Sequence, residues 1–470
     1  MLRTSTIRAL CLPGLLCCQS TPAQKASDEG PEVAQYLTLA DGSQRLTLVD
    51  DPVQDADPSL SSTITIDTLQ ARQDMAGFGF ALTGGSAAHI HGMSDPARAA
   101  LLRELFSVEE GGIGMSVLRV TVGASDLESE PFSYNEDASD PEHLGFSLGP
   151  HLTHVIPVLQ EILEVRPDLT ILASPWSAPS WMKDTGGFIA GELLAEHRAS
   201  YAAYLVRYIQ EMASLGVDIH YLTVQNEPLH WGNNPSMTMT AADQALFVKD
   251  HLGPAFVAAG LDTKLITYDH NPDQIDYPME VLDDPAAAQY LDGSAFHLYA
   301  GSIDALSTLH DAHPTKHVYF TEQWYSADGD FTDDFLWHVR HVLMGSVRNW
   351  SRGVIEWNLS SNPSLTPHTF GGCNRCLGAV TIDGDTVTRN PGYYTIAHAS
   401  KFVQPGSVYL PTDVPAELAS AAFTTPDGER VLIVLNDTEE DHPFNVTDPA
   451  QSFSTTLAAG AVATFVWGTD

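Results

Sequence analysis

Short apolar runs alternate with longer amphipathic stretches through the middle of the chain. Eight of the apolar runs predict strands, at residues 76–82, 116–122, 169–173, 219–224, 264–268, 294–298, 317–321 and 353–357. The stretches between them carry helix signals. Ser94-Asp95-Pro96 opens one, with proline near the first helical position. Tyr201, Tyr204, Leu205, Tyr208, Ile209 and Met212 form a stripe at helical spacing, and Gly216 stops it. Thr240-x-x-Asp243 resembles a capping box ahead of residues 245–257, and residues 335–350 predict a further helix. Eight β/α alternations predict an α/β fold with a (β/α)8 TIM barrel over residues 74–394. An open doubly wound sheet competes, but the G-x-G-x-x-G turn that would argue for it is missing.

The flanks follow a different period. Residues 27–73 alternate like strands, with a hairpin on Asp41-Gly42 and a second run at 62–66. After residue 395 the helical pattern stops. Residues 421–424 and 430–435 flank a Pro426-Asp427-Gly428 turn, and residues 453–457 and 461–467 add more strands. Neither flank is long, and an isolated hairpin is barely stable. The two ends are therefore expected to join in one β-sandwich beside the barrel, from residues 27–73 and 395–470.

Residues 1–26 read as an export leader. Arg3 and Arg8 precede a short apolar stretch, and small and polar residues follow from Ser20 to Ala26. A lipid anchor on Cys17 or Cys18 is a weaker option because Leu15-Leu16 precede them poorly. No later run reaches the ~20 apolar residues of a membrane helix, so no transmembrane segment is expected, and the chain is placed outside the cytoplasm: secreted, periplasmic or at the cell surface. Charge narrows the partners. Among 470 residues, 60 Asp+Glu stand against 22 Lys+Arg, a net charge of −38. Such a surface repels nucleic acid and anionic membranes. Self-repulsion also favours a monomer, and salt would screen it.

In a barrel of this type the chemistry gathers where the strands end. Those ends carry carboxylates, amides, imidazoles and indoles, with no phosphate cradle. Glu227 and Glu322 end the fourth and seventh predicted strands, across the mouth from each other. Two facing carboxylates are the minimum apparatus for cleaving a glycosidic bond. Trp176, Trp324 and Trp357 suit the apolar faces of sugar rings, and Asp126 and Asn226 suit hydroxyls.

At these residues the sequence resembles glycoside hydrolase family 30, the glucosylceramidase-like enzymes. The resemblance rests on Gly77-Phe78-Gly79-Phe80-Ala81-Leu82-Thr83, Leu118-Arg119-Val120, Ala173-Ser174-Pro175-Trp176-Ser177-Ala178-Pro179-Ser180-Trp181-Met182-Lys183, Asn226-Glu227-Pro228, His297-Leu298-Tyr299, Thr321-Glu322 and Trp357-Asn358-Leu359. It implies a retaining mechanism with Glu227 as acid/base and Glu322 as nucleophile, and an environment that raises the pKa of Glu227 relative to that of Glu322. It implies that Asp126, Trp176, Asn226 and Trp357 hold the sugar in the −1 subsite, whose anomeric carbon is attacked. Arg119, His297 and Tyr299 would orient the carboxylates. Gly84-Gly85-Ser86 and the loop over 371–377 depart from the vertebrate glucosylceramidases and look more like members that attack β-1,6-linked glucan. The expected substrate is therefore a neutral β-glucan or β-glucoside, β-1,6-linked first, glucosylceramide-type second and xylan third.

Three further readings stand beside this one. Cys373 and Cys376 could form a local disulfide, half a zinc site or a redox pair; with no second Cys pair and an export leader, the disulfide is preferred. His89-Ile90-His91 could bind metal, but it follows the first strand by several residues, so neither metal nor cofactor is expected. A catalytically silent carbohydrate-binding protein is the rival from another class. Retention of both Glu227 and Glu322 argues for the enzyme.

Overall fold

The computed structural model describes residues 32–50, 52–109 and 111–469. The expected leader, with Cys11, Cys17 and Cys18, lies outside the described residues. Eight parallel strands close into a barrel: β1 (Gly77–Leu82), β2 (Val117–Val122), β3 (Thr170–Pro175), β4 (Tyr221–Thr223), β5 (Lys264–His270), β6 (Leu291–His297), β7 (His317–Glu322) and β8 (Ser351–Glu356). Each pairs with its neighbour in sequence, and β8 returns to β1. The TIM barrel is thus the observed architecture, and the open sheet is excluded.

The interior is layered by the two-residue period of the strands. Val117, Leu172, Ile266, Ala295, Tyr319 and Ile355 pack in an apolar layer low in the barrel. Two residues further along five of these strands stand Arg119, Ser174, His297, Thr321 and Trp357, which form the floor of the mouth. Strand β5 breaks the count. Its register with β6 slips between Tyr268 and His270, so Asp269 is an extra residue. Tyr268 and Asp269 both have positive φ, 72° and 68°. The bulge turns Tyr268 outward, where its hydroxyl donates to Asn271 O and its ring lies against Tyr277, and sends Asp269 inward.

The capping box at Thr240 forms, with Thr240 Oγ1 accepting from Asp243 N at 3.1 Å. The helical pattern outlasts the point near residue 395 where it was expected to stop. A helix runs from Pro391 to Ser400, and every residue of it is buried. A helix covered on all sides has no polar face, so it shows no amphipathic period.

The chain ends meet in two sheets. Ala34–Leu39 inserts between Ala461–Trp467 and Thr47–Val49 in a six-stranded sheet. Thr63–Ile66 joins His442–Thr447 and Ser452–Leu457 in the facing five-stranded sheet. Ile64, Leu432, Val434, Phe444, Phe453 and Phe465 fill the space between. His398 fastens the sandwich to the last helix. Burial pushes it down to about 3, and its two nitrogens meet Thr464 Oγ1 at 2.9 Å and Thr38 Oγ1 at 2.8 Å.

Candidate active site

A cavity of about 380 Å³ opens at the C-terminal ends of the barrel strands. Its lining includes Asp126, Trp176, Glu227, Tyr299, Glu322, Trp324, Trp357, Cys373 and Cys376. Arg119 and His297 stand behind these residues, bonded to Glu322 and Glu227, and Asn226 accepts a hydrogen bond from Arg119. Every side chain that the sequence singled out for the site is therefore in one place.

The centre is a buried charge network. Arg119 is fully buried and donates from Nη1 to Glu322 Oε2 at 2.5 Å. Its Nη2 donates to Asn226 Oδ1 at 2.7 Å and to Asp269 Oδ2 at 2.9 Å, and its Nε to Ser174 Oγ at 3.0 Å. A buried guanidinium needs this many partners, because desolvation alone would be prohibitive. Asp269 also accepts from Thr223 and Thr321. Burial opposes its charge, but the adjacent Arg119 and the His297 hydrogen bond win and hold its carboxyl well below the usual range.

His297 bridges the carboxylates. Its Nε2 donates to Asp269 Oδ1 at 3.1 Å and its Nδ1 to Glu227 Oε1 at 3.1 Å, with Glu322 Oε1 at 3.7 Å. Burial pulls its pKa down, but Glu322, Asp269 and Glu227 outweigh that and push it up to about 9. The same contact decides Glu227. Burial raises its carboxyl, yet the hydrogen bond from His297 and the imidazolium charge lower it overall. That pull works against the higher pKa, relative to Glu322, that the acid/base role asks for. Tyr299 donates its hydroxyl to Glu322 Oε1 at 3.0 Å, and burial first, then the two Glu charges, hold its pKa well above the usual value.

Aromatic rings wall one side. Trp176 and Trp357 lie with ring centroids 5.4 Å apart, and Arg119 Cζ sits 4.8 Å from the Trp176 ring. Asp126 enters from the loop after β2. Burial, then the charges of Glu322 and Glu227, raise it to about 7, against the opposing hydrogen bond from Cys373 N at 3.0 Å. Cys373 and Cys376 form a disulfide. Its loop approaches Asp126 closely: Thr369 N donates to Asp126 O, and a Cβ at Gly372 would lie 2.6 Å from that oxygen. Only glycine fits there.

Five lining or supporting residues had no role from sequence: Asp269, His270, Asn271, His230 and Asn233. Asp269-His270-Asn271 do follow the fifth strand in sequence, which was the available signal. The bulge that aims them was not visible. His89 instead bonds to Thr366 O and near Ser360, and His91 lies against His154, so the H-x-H pair does not reach the mouth. Among the described residues, Glu227, His297 and Glu322 are a group that could hold a metal ion, with ligand atoms within 4.8 Å of one another. Both ring nitrogens of His297 already stand 3.1 Å from carboxylate oxygens, Asp269 Oδ1 and Glu227 Oε1.

A closed parallel barrel with two acids facing across its C-terminal mouth defines a glycoside hydrolase of the TIM-barrel class. The chain belongs to glycosyl hydrolase family 30. The family's TIM-barrel domain matches residues 75–403 and its beta sandwich domain residues 406–465. The chain is 33% identical to endo-1,6-beta-D-glucanase neg1 of Aspergillus fumigatus, over 92% of this chain and 93% of that one. It is 29% identical to the lysosomal acid glucosylceramidase of Mus musculus, over 86% of this chain and 83% of that one. Among solved structures, the endo-beta1,6-glucanase BT3312 superposes with a TM-score of 0.88 at 33% identity, covering 93% of this chain and 100% of that one. Among the described residues no helix is long and apolar enough to cross a membrane.

Proposed function

We propose that this chain is an exported, retaining hydrolase of β-1,6-linked glucan. One observation carries the mechanism: an oxygen of Glu227, an oxygen of Glu322 and a nitrogen of His297 all lie within 4.8 Å of one another. Retaining enzymes hold their carboxyl groups about 5–5.5 Å apart, whereas inverting ones leave ~6.5–9.5 Å for a water. Glu322 attacks the anomeric carbon as Glu227 gives its proton to the departing oxygen. The C–O bond breaks and a glycosyl ester forms on Glu322. Glu227 then takes a proton from water, the water attacks the same carbon, and Glu322 is released.

Glu227 must be protonated for the first step, and the contact with His297 lowers its pKa in the free site. The proton is nevertheless at hand, on His297 Nδ1 at 3.1 Å. A bound sugar excludes water and raises the cost of the ion pair, which favours transfer to Glu227. Arg119 and Tyr299 keep Glu322 aimed by bonding one oxygen each. Asp126, Trp176, Asn226 and Trp357 hold the sugar that becomes attached. The β-1,6 linkage is inferred from the relatives named above and from the disulfide loop that lines the cavity. Export is supported by the leader and by a disulfide that persists in oxidising compartments.

The test is a polysaccharide panel with product analysis. β-1,6-Glucan should be cleaved faster than β-1,3- or β-1,4-glucan or glucosylceramide, and proton NMR should show the β-anomer first. Preference for glucosylceramide, or an α-anomer as first product, would overturn the corresponding part.

A further inference from the structure

One residue of the cavity has chemistry that the reaction above leaves unused. His270 is only 8% exposed and lines the cavity. Its Nδ1 is buried without a partner. Its Nε2 stands 3.9 Å from Glu227 Oε1, beyond hydrogen-bond range. Buried polar groups are nearly always bonded, and with Nδ1 closed off inside the protein, Nε2 is the nitrogen that can take a partner from the cavity. Burial lowers its pKa to about 4, so the ring is neutral at working pH. Its Nε2 is a donor in one tautomer and an acceptor in the other, and a hydroxyl can meet either where an alkyl chain can meet neither.

Its position says which part of the substrate it meets. Glu227 ends the segment after β4, and His270 ends the neighbouring β5. His230 and Asn233, from the loop after Glu227, line the same side. Trp357 and Asp126 come from β8 and the loop after β2, neither next to β4 or β5 in the barrel, whereas Trp176 follows β3, which borders β4, and packs against Trp357. The group that protonates the departing oxygen must stand beside the departing sugar. The bulge at Asp269 delivers His270 there, at the cost of two successive left-handed residues.

We propose that His270 is a specificity-determining contact for the leaving-group sugar, which with His230 and Asn233 forms a hydroxyl-binding subsite selecting a sugar over an alkyl or ceramide aglycone. The inference rests on Glu227 being the acid. It predicts discrimination by aglycone and not merely activity.

The experiment compares wild type, His270→Phe and His270→Asn on three substrates: a β-1,6-linked gluco-oligosaccharide, 4-nitrophenyl β-glucoside and octyl β-glucoside. His270→Phe should lose about tenfold more kcat/KM on the oligosaccharide than on either of the others, as one lost hydrogen bond implies. His270→Asn, which keeps a donor and an acceptor, should recover most of that difference. A second readout needs no glycan cleavage: transfer from the nitrophenyl donor to added gentiobiose should need about tenfold more acceptor in His270→Phe. Unchanged thermal unfolding midpoints separate these losses from misfolding. Equal losses on all three substrates, in an otherwise active enzyme, would overturn the inference alone. A wild type inactive on β-1,6-oligosaccharides would remove the proposed function and this inference with it.

Discussion

The two sides of the mouth are built from different chemistry. On one side Trp176, Trp324, Trp357 and the Cys373–Cys376 disulfide pack as one apolar cluster with Leu127 beneath them. On the other, strands β4 to β6 present His230, Asn233, His270, Asn271 and Tyr299. Rings grip the face of a sugar and are indifferent to its hydroxyl pattern. Hydrogen-bonding groups are selective, since an analogue that cannot pair leaves a buried polar group bare. On the proposed function, the aromatic side fixes the glycosyl unit in every reaction, and the polar side chooses what leaves. The charge network of Arg119, Asp269 and His297 lies between them and serves both.

The sharpest test of that division is at the shared centre. Glu322→Gln should lower turnover by about four to six orders of magnitude on every substrate, while calorimetry still detects sugar binding. Survival of turnover on any one aglycone would break the idea of a common centre. Next comes the stability that His297 draws from its three carboxylates. Its pKa is raised from 6.5 to about 9, so its contribution is complete below pH 6.5 and is lost as pH rises through about 9. The shift corresponds to about 3 kcal/mol. Lys183 acts oppositely: burial lowers it to about 7, so stability recovers as pH rises from there toward its ordinary value. The difference between wild type and His297→Gln isolates the histidine. That difference, read from urea unfolding, should shrink steadily between pH 6.5 and 9; a constant gap would mean that His297 is not charged in the folded protein.

A smaller effect probes the aromatic side. Trp176→Phe keeps a ring over Arg119 but removes the indole edge. It should lower kcat/KM about thirtyfold, or ~2 kcal/mol, and equally on aryl glucosides and oligosaccharides. A loss confined to one aglycone would place Trp176 on the selective side.

What was legible in the sequence follows the same physics. Strands that alternate with amphipathic helices declare a barrel, and residues at the ends of those strands declare its mouth, so Glu227, Glu322 and the tryptophans could be named directly. The helix over Pro391–Ser400 was cut short because burial on all sides erases its period. Asp269 and His270 were seen at the mouth but given no role. Their orientation depends on a bulge against β6, and a register shift is a property of two strands, not of one. The lowering of Glu227's pKa was hidden for a similar reason. Its cause is His297, seventy residues away along the chain, at 3.1 Å in the fold.

The least effect is expected from the loop that joins the aromatic side to Asp126. Cys373 N donates to Asp126 Oδ2, and Thr369 N fixes the Asp126 backbone. Burial raises Asp126 to about 7, and the Cys373 hydrogen bond is the main influence pulling the other way. Loosening the loop by the double substitution Cys373→Ser and Cys376→Ser weakens that bond. The ionised form loses its donor, so Asp126 should keep its proton to a higher pH. Substrate affinity governed by its ionisation should then change at a pH above 7 instead of near it, with kcat/KM reduced about fivefold, or ~1 kcal/mol, at neutral pH. Because the proposed function puts Asp126 on the glycosyl side, the displacement should be the same for aryl, alkyl and sugar aglycones. A pH profile displaced only with oligosaccharides would show that the disulfide loop reaches across to the leaving group, and that the two sides of the mouth are not separate.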